Sequence, residues 1–273
     1  MPSYFITGAA RGIGYEFIRQ YSSDPNNTVI GTVRDKAATI KKISEDAELK
    51  SRSNIHILEA DITNYDALKN AAAETATITG GSLDYIIANA GIVTMFDAYD
   101  PIGALGDRPD EITKTLRLLF ETHVIANVHL FNLLMPLILH GKAKKVILIS
   151  SGFADPVFTA EFDITPGSLY ASTKAAANMI VAKYSAQYKK DGVLFLAVCP
   201  GMVEVGHYKD ATPEQIANVG GLVTKFKEYS TRFSGPITPE ESVSAVRSVI
   251  ANASIEKGNA GDFLSHFGTK TWL

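Results

Sequence analysis

Six short apolar runs, each bounded by turn residues, recur along the chain at positions 4–7, 28–33, 55–60, 83–88, 145–149 and 194–198. Each is short enough for a strand buried on both faces, which shows no polar alternation because helices cover it above and below. Helix-length segments lie between them, at roughly 12–23, 36–50, 64–78, 112–139 and 167–190. The third opens with Thr63-Asn64-Tyr65-Asp66, read as a threonine N-cap with an acid three residues on. This alternation predicts an α/β fold, a doubly wound parallel sheet of Rossmann type with right-handed crossovers. Ligands of such sheets sit beyond the C-terminal ends of the strands. After Gly201 the rhythm breaks. A stretch of helix-like and loop-like sequence, about 202–236, precedes a further helix near 239–252 and a last strand near 262–264. We read that excursion as a substrate lid on a single domain spanning 1–273, since no linker, repeat or low-complexity stretch divides the chain.

Composition narrows the class of ligand. The 26 basic and 29 acidic residues give a net charge of −3, without the basic bias that a nucleic-acid surface or an anionic membrane calls for. A small-molecule substrate is therefore expected, with no nucleic acid, membrane or metal. Cys199 is the single cysteine, so no internal disulfide forms, as suits a reducing compartment. No apolar run is expected to reach the ~20 residues of a membrane span. With the first strand expected by Ser3 there is no room for a leader, and the cytoplasm is the expected compartment.

Two segments carry chemistry. Tyr170 and Lys174 stand four residues apart in an alanine-rich run, so phenol and ammonium project from one helix face. A free phenol titrates near ~10, and a cation beside it favours the phenolate and brings it toward the working range of a general acid or base. Thr7-Gly8-Ala9-Ala10-Arg11-Gly12-Ile13-Gly14 follows the first strand and opens the first helix. There a glycine turn lets backbone amides approach a pyrophosphate at the helix N-terminus.

With Asn89-Ala90-Gly91 after the fourth strand, Ser150-Ser151 after the fifth and Pro200-Gly201 after the sixth, these segments make the chain resemble the short-chain dehydrogenase/reductase family over nearly its whole length. The gap between Ser151 and Tyr170, and the ending Gly261-Asp262-Phe263-Leu264 with Gly268 and Trp272, resemble the branch of small carbonyl reductases that includes fungal norsolorinic-acid-ketoreductase-like enzymes. The resemblance implies that Tyr170 transfers the proton, Lys174 lowers its pKa and holds the nicotinamide ribose, and Ser151, in preference to Ser150, holds the substrate oxygen. It places Thr7, Gly8, Arg11, Gly12, Ile13, Gly14, Asn89, Ala90, Gly91, Pro200, Gly201 and Val203 along the cofactor, with Asp61 and Ile62 beside its adenine. It also implies a homodimer or homotetramer built through the two long helices. Hydride addition builds negative charge on oxygen, so donors placed there stabilise the transition state.

Charge selects the cofactor. Arg11 in the glycine turn and Arg34 after the second strand can reach one phosphate, and guanidinium binds phosphate in a forked, charge-assisted way, so NADP(H) is expected; Asp35 beside Arg34 is the counterweight. Two positions depart from the family pattern. His123 falls where an asparagine helps hold a catalytic water, and as neutral imidazole it would stand in for the amide; the competing reading is a satisfied core histidine on a mostly apolar helix. Val205 falls where a threonine contacts the nicotinamide carboxamide. Phe96, Phe153, Val157, Phe158, Phe162, Met202, Tyr208, Phe226, Tyr229 and Phe233 populate the loops around that region and predict a bulky, apolar or aromatic ketone or alcohol. The expected function is NADPH-dependent carbonyl reduction, reversible in principle. The rivals are a non-redox cyclase or isomerase reusing the pocket, and an NADP-binding sensor or scaffold.

Overall fold

The computed structural model describes residues 1–206 and 212–273, leaving aside the side chains of 214 and 216–219. Its centre is one seven-stranded, all-parallel sheet in the order β3-β2-β1-β4-β5-β6-β7. The strands are β1 (Ser3–Thr7), β2 (Thr28–Val33), β3 (Ile55–Glu59), β4 (Tyr85–Ala88), β5 (Lys145–Ile149), β6 (Leu194–Cys199) and β7 (Phe263–Ser265). Side chains alternate between two cores as the pleat requires. Phe5, Ile30, Val146, Leu148 and Phe195 point to one face, packed by α3 (Tyr65–Thr79), α5 (Ala126–His140) and α7 (Ser168–Tyr188). Ile6, Val29, Ile147, Leu196 and Val198 point to the other, under α1 (Gly12–Tyr21), α2 (Lys36–Glu45) and α9 (Pro239–Asn252). Buried Asp84 pins the bottom of the sheet: it accepts the backbone amides of Ser3, Lys142 and Ala143 at 2.8 to 3.1 Å. Those bonds outweigh its burial and hold its pKa below the ordinary carboxylate value.

Strand order reverses between β1 and β4, the crevice where doubly wound sheets bind ligands. Element types follow the sequence expectation, with shifts at the boundaries. The third helix starts after Asn64, whose side chain accepts the Ala67 amide, and not after Thr63. The Thr63 hydroxyl is already committed, donating to Asp61 Oδ1 at 2.8 Å. The second helix stops at Glu45, short of the expected 50, where Asp46 turns the chain by accepting the amides of Glu48 and Leu49.

The segment expected at 112–139 runs from α4 (Pro109–Phe120) through a π turn (Glu121–Ile125) into α5, a continuous rod Pro109–His140. By length and composition that rod could cross a membrane, contrary to the expectation that no run reaches such a span. In this fold 56% of its most apolar window is buried, and α5 supplies Leu130, Phe131, Leu134, Met135 and Ile138 to the first core.

The stretch read from the sequence as a lid contains the helix α8 (Pro213–Tyr229), and α8 and α9 both begin with a threonine capping box followed by proline. A short helix α6 (Pro156–Glu161), which the sequence reading did not separate, lies between β5 and α7. Phe158, Ile164, Cys199, Phe226 and Trp272 bind α6 and α8 into a third apolar cluster beside the sheet.

Candidate active site

The glycine turn is held by its neighbour strand. Thr7 Oγ1 accepts the amides of Asn89 and Ala90 at 3.1 and 3.0 Å, and Asn89 Nδ2 donates to Thr7 O at 3.0 Å and Gly8 O at 3.4 Å. The turn leaves no room for side chains. A Cβ on Gly14 would lie 2.2 Å from Gly8 O and 2.6 Å from Asn89 Nδ2, and one on Gly8, which has φ +70°, would lie 2.9 Å from Ala90 Cα. Helix α1 has no side-chain cap and no acid in its first turn. A crevice bare of side chains, facing an uncapped helix N-terminus, fits a dinucleotide pyrophosphate. Ile13 lies just inside this turn and lines the neighbouring cavity.

Near the C-terminal ends of β1 and β2, Arg11 and Arg34 are exposed, and among the described residues neither makes an ion pair. The Asp35 carboxylate caps α2 by accepting the Ala38 amide at 2.8 Å, so it is committed to the helix and not paired with Arg34. Asp61 and Ile62 follow β3, with Asp61 Oδ1 taking the Thr63 amide at 2.9 Å.

Tyr170 and Lys174 occupy the first two turns of α7, and β5 ends directly beside them. Lys174 is 5% exposed and donates from Nζ to Ile149 O at 2.9 Å. Its Nζ stands 5.8 Å from the Tyr170 ring centroid. Burial pushes the ammonium down to about 8. Burial likewise pushes the Tyr170 phenol well above its ordinary value, opposed by its hydrogen bond with Ser151. A phenol shifted in this direction stays protonated at neutral pH, as a proton donor must be. Ser151 Oγ accepts the Phe153 amide at 3.3 Å and opens onto the same cavity as Tyr170. Ser150 Oγ instead donates to Asn178 Oδ1 at 2.7 Å, which commits it to α7.

His123 sits on the π turn, 1% exposed, where the side chain of Asn127 donates from Nδ2 to its carbonyl at 2.7 Å. Its Nε2 accepts the Ile92 amide at 3.1 Å, which assigns the proton to Nδ1, 2.9 Å from Thr173 Oγ1. Thr173 in turn donates to Tyr170 O at 2.9 Å. Both ring nitrogens are thus engaged by protein, so the ring is placed to brace the Gly91 loop and α7 and presents no nitrogen to a water. Burial, then the nearby Lys174 charge, pushes the imidazole down to about 3. Gly91 closes this corner: a Cβ there would meet His123 Nε2 and Lys174 Nζ, both at 3.4 Å.

A cavity of ≈ 250 Å³ opens from Ser151 and Tyr170. Phe153, Phe158, Met202 and Phe226 line it as expected positions of the pocket. Phe96 does not line it; its ring lies under the Arg108 guanidinium, 4.7 Å from the centroid, and its neighbours Met95, Ala98 and Tyr99 take the wall instead. Tyr208 lies outside the described residues. Val157 is exposed, while Phe162, Tyr229 and Phe233 pack behind the wall.

Pro200, Gly201 and Val203 line the cavity beside Val205. The bonds from Ile237 N to Met202 O and from Glu204 N to Ile237 O leave the Val203 amide outside that pairing. Val205 packs against the bare face of Gly12, 3.2 Å from where a Cβ would be.

Sequence reasoning missed Cys199, Leu222, Trp272 and Leu273 in the wall. The indole of Trp272 donates to Asp155 Oδ2 at 2.8 Å and stacks on Phe263 at 4.2 Å. A lone tryptophan in a polar C-terminal stretch was the available signal.

Comparison with known proteins agrees with this arrangement. The short chain dehydrogenase family model matches residues 3–216. The chain is 58% identical to the short chain dehydrogenase virK of Hypocrea virens and 50% identical to the short-chain dehydrogenase/reductase iacC of Pestalotiopsis fici, each over 100% of both chains. Among solved structures, the NADPH-bound carbonyl reductase from chicken fatty liver superposes with a TM-score of 0.75 at 23% identity, covering 98% of each chain. The carbonyl reductase Sniffer of D. melanogaster gives a TM-score of 0.73 at 21% identity, also with 98% of each chain covered. The glycine turn at the β1/β4 crevice, the Ser151, Tyr170 and Lys174 cluster at the end of β5, and these full-length matches lead to one statement: the chain belongs to the short-chain dehydrogenase family.

Proposed function

We propose that the protein reduces a bulky, apolar or aromatic carbonyl compound to its alcohol with NADPH. The observation that carries this reading is the joint opening of the Ser151 and Tyr170 hydroxyls onto one largely apolar cavity, with the Lys174 ammonium fixed behind them on Ile149 O. Thr7, Gly8, Gly12, Gly14, Asn89, Ala90 and Gly91 would hold the dinucleotide, and the free guanidinium groups of Arg11 and Arg34 favour the form carrying a 2′-phosphate. When bound, NADPH supplies a hydride to the carbonyl carbon. Tyr170, held protonated by burial, delivers its proton to the carbonyl oxygen, and Ser151 donates a hydrogen bond to that oxygen as its charge grows. Lys174 orients the ribose and, as a cation, offsets the charge left on the phenolate. The reverse reaction uses the same groups, with phenolate as base.

We also propose a homo-oligomer. Leu116, Leu118 and Phe120 on α4 and Met179 on α7 are 37 to 59% exposed, an apolar surface that pairing of copies would cover. Sedimentation at micromolar concentration tests it.

The function is tested by offering aromatic and polycyclic ketones with NADPH and following nicotinamide absorbance together with product. Alcohol formed in step with NADPH consumed is the expected result. Conversion of substrate without net cofactor oxidation would replace this reading with a non-redox reaction.

A further inference from the structure

We propose that Asp97 is a positioning residue for proton transfer, tying the Tyr170 end of α7 to the loop that forms one wall of the substrate cavity. This rests on the reductase reading above. Helix α7 begins after Gly167, which has left-handed φ and offers no side-chain cap. Its first amides are served from seventy residues upstream. Asp97 Oδ2 accepts the amides of Leu169 and Tyr170, both at 3.0 Å, and Asp97 O accepts the Gly167 amide at 2.7 Å. Oδ1 takes the Thr94 hydroxyl at 2.5 Å.

The carboxylate is 0% exposed, and among the described residues no cation pairs with it. Its countercharge is the positive end of the α7 dipole together with those amides. One of the amides it holds belongs to the proton donor. On either side of Asp97, Met95, Ala98 and Tyr99 face the cavity, as does Val93. A shift of this loop thus moves the substrate wall and Tyr170 together, and proton transfer is sensitive to sub-ångström displacement of the donor. A neutral, water-exposed cap would hold the helix equally well, so the helix alone does not account for burying an acid here.

The charge has its own consequence. Around the phenol stand Lys174 from α7, the edge of the His123 ring at 5.5 Å from the π turn, Ser151 from the end of β5, Cys199 from β6 and Asp97 from the β4–α4 loop. Burial is the main cause of the raised phenol pKa, and the Asp97 charge adds to it. Asp97 therefore helps keep the phenol protonated, as reduction requires.

Two variants separate position from charge. Asp97→Asn keeps an oxygen for the two amides and offers an NH₂ to Thr94, while Asp97→Ala removes both. The Ala variant is expected to lower kcat about tenfold, with NADPH affinity within about twofold of the parent, and to speed hydrogen exchange at the Leu169 and Tyr170 amides by about tenfold, the scale of a lost N-cap. The Asn variant is expected to restore kcat to within about threefold and to move the basic limb of its pH profile to lower pH, because the phenol loses its anionic neighbour. Parent-like exchange and kcat in the Ala variant would overturn the proposal. So would an Asn variant with a parent-like basic limb, and this arm stands even if the Ala variant does not fold. Should the parent reduce no carbonyl at all, the reductase reading fails, and the placement of Tyr170 by Asp97 is then judged on amide exchange alone.

Discussion

The glycine turn after β1 and the aromatic cluster of α6 and α8 reach the same cavity, the one through Ile13 and the other through Phe158 and Phe226, and they are built by opposite means. In the turn each polar side chain serves two backbone groups, Thr7 Oγ1 accepting two amides and Asn89 Nδ2 reaching two carbonyls, and a single added methyl at Gly14 has nowhere to go. Between α6 and α8, order comes from ring contacts: Phe158 with Tyr229 at 4.5 Å, Phe162 with Tyr229 at 4.9 Å, Phe226 with Phe233 at 5.4 Å. Hydrogen bonds and steric limits specify residue types at fixed positions. Apolar packing specifies volume, and many side chains satisfy it.

The largest effect is expected where the two halves meet. Tyr170→Phe keeps the ring in the cavity wall and removes the proton donor, so NADPH should still bind while turnover falls by ~10²-fold or more, the range for loss of a general acid. Single-turnover rates and a cofactor titration check it, and near-parental reduction would move the donor elsewhere. The contrast between turn and aromatic cluster is sharpened by a second pair. Gly14→Ala should cost roughly 1–3 kcal/mol of stability through overpacking and weaken NADPH binding, whereas Phe226→Leu should cost under about 1.5 kcal/mol, leave NADPH affinity unchanged and alter KM across the ketone panel. Equal losses of cofactor affinity in the two variants, by calorimetric titration, would break the comparison.

Next in size is the cofactor preference. Arg34→Asp should erase most of an NADPH over NADH advantage of roughly 1–3 kcal/mol, the scale of a charge-assisted bond to phosphate. Equal parental affinity for both nucleotides would show that the free guanidinium groups of Arg11 and Arg34 do not meet the phosphate.

The same contrast accounts for what could be read beforehand. The sheet was legible because strands buried on both faces read as unbroken apolar runs, and the glycine turn because pyrophosphate binding requires bare backbone between β1 and α1. The Thr63 cap was misplaced by one residue because Thr63 and Asn64 are both competent caps, and only the bond to Asp61 decides between them. The pocket was legible as apolar but not residue by residue: Phe96 turned to Arg108, and Met95 and Tyr99 took the wall. Asp97 was invisible because a cap supplied from another part of the chain leaves no local signature next to Gly167. His123 was found by its register, yet its role depends on the partners of both ring nitrogens, which come from Ile92 and Thr173, 31 and 50 residues away.

The smallest effect at neutral pH is expected at His123, and its pH dependence tells whether the ring braces the structure or serves the chemistry. In the unfolded chain imidazole titrates near ~6.5. In the folded protein burial, with Lys174 beside it, pushes the group down to about 3. Between those values the unfolded chain binds a proton that the folded protein refuses, so stability rises with pH across that window and is lost as pH falls from ~6.5 toward 3, at up to about 1.4 kcal/mol per pH unit. Above ~6.5 the residue contributes no slope. His123→Asn can still accept the Ile92 amide and donate to Thr173, but it does not titrate. Urea midpoints of parent and variant should therefore differ little at pH 7.5, with the parent losing ground relative to the variant as pH is lowered to 5. Carbonyl reduction should depend on pH identically in the two proteins between pH 6 and 8. His123→Leu leaves the Ile92 amide without its acceptor and should cost about 1–3 kcal/mol at every pH. An acid limb in the rate between pH 5.5 and 7 that vanishes in His123→Asn would mean that the ring meets the reacting groups and carries a proton there.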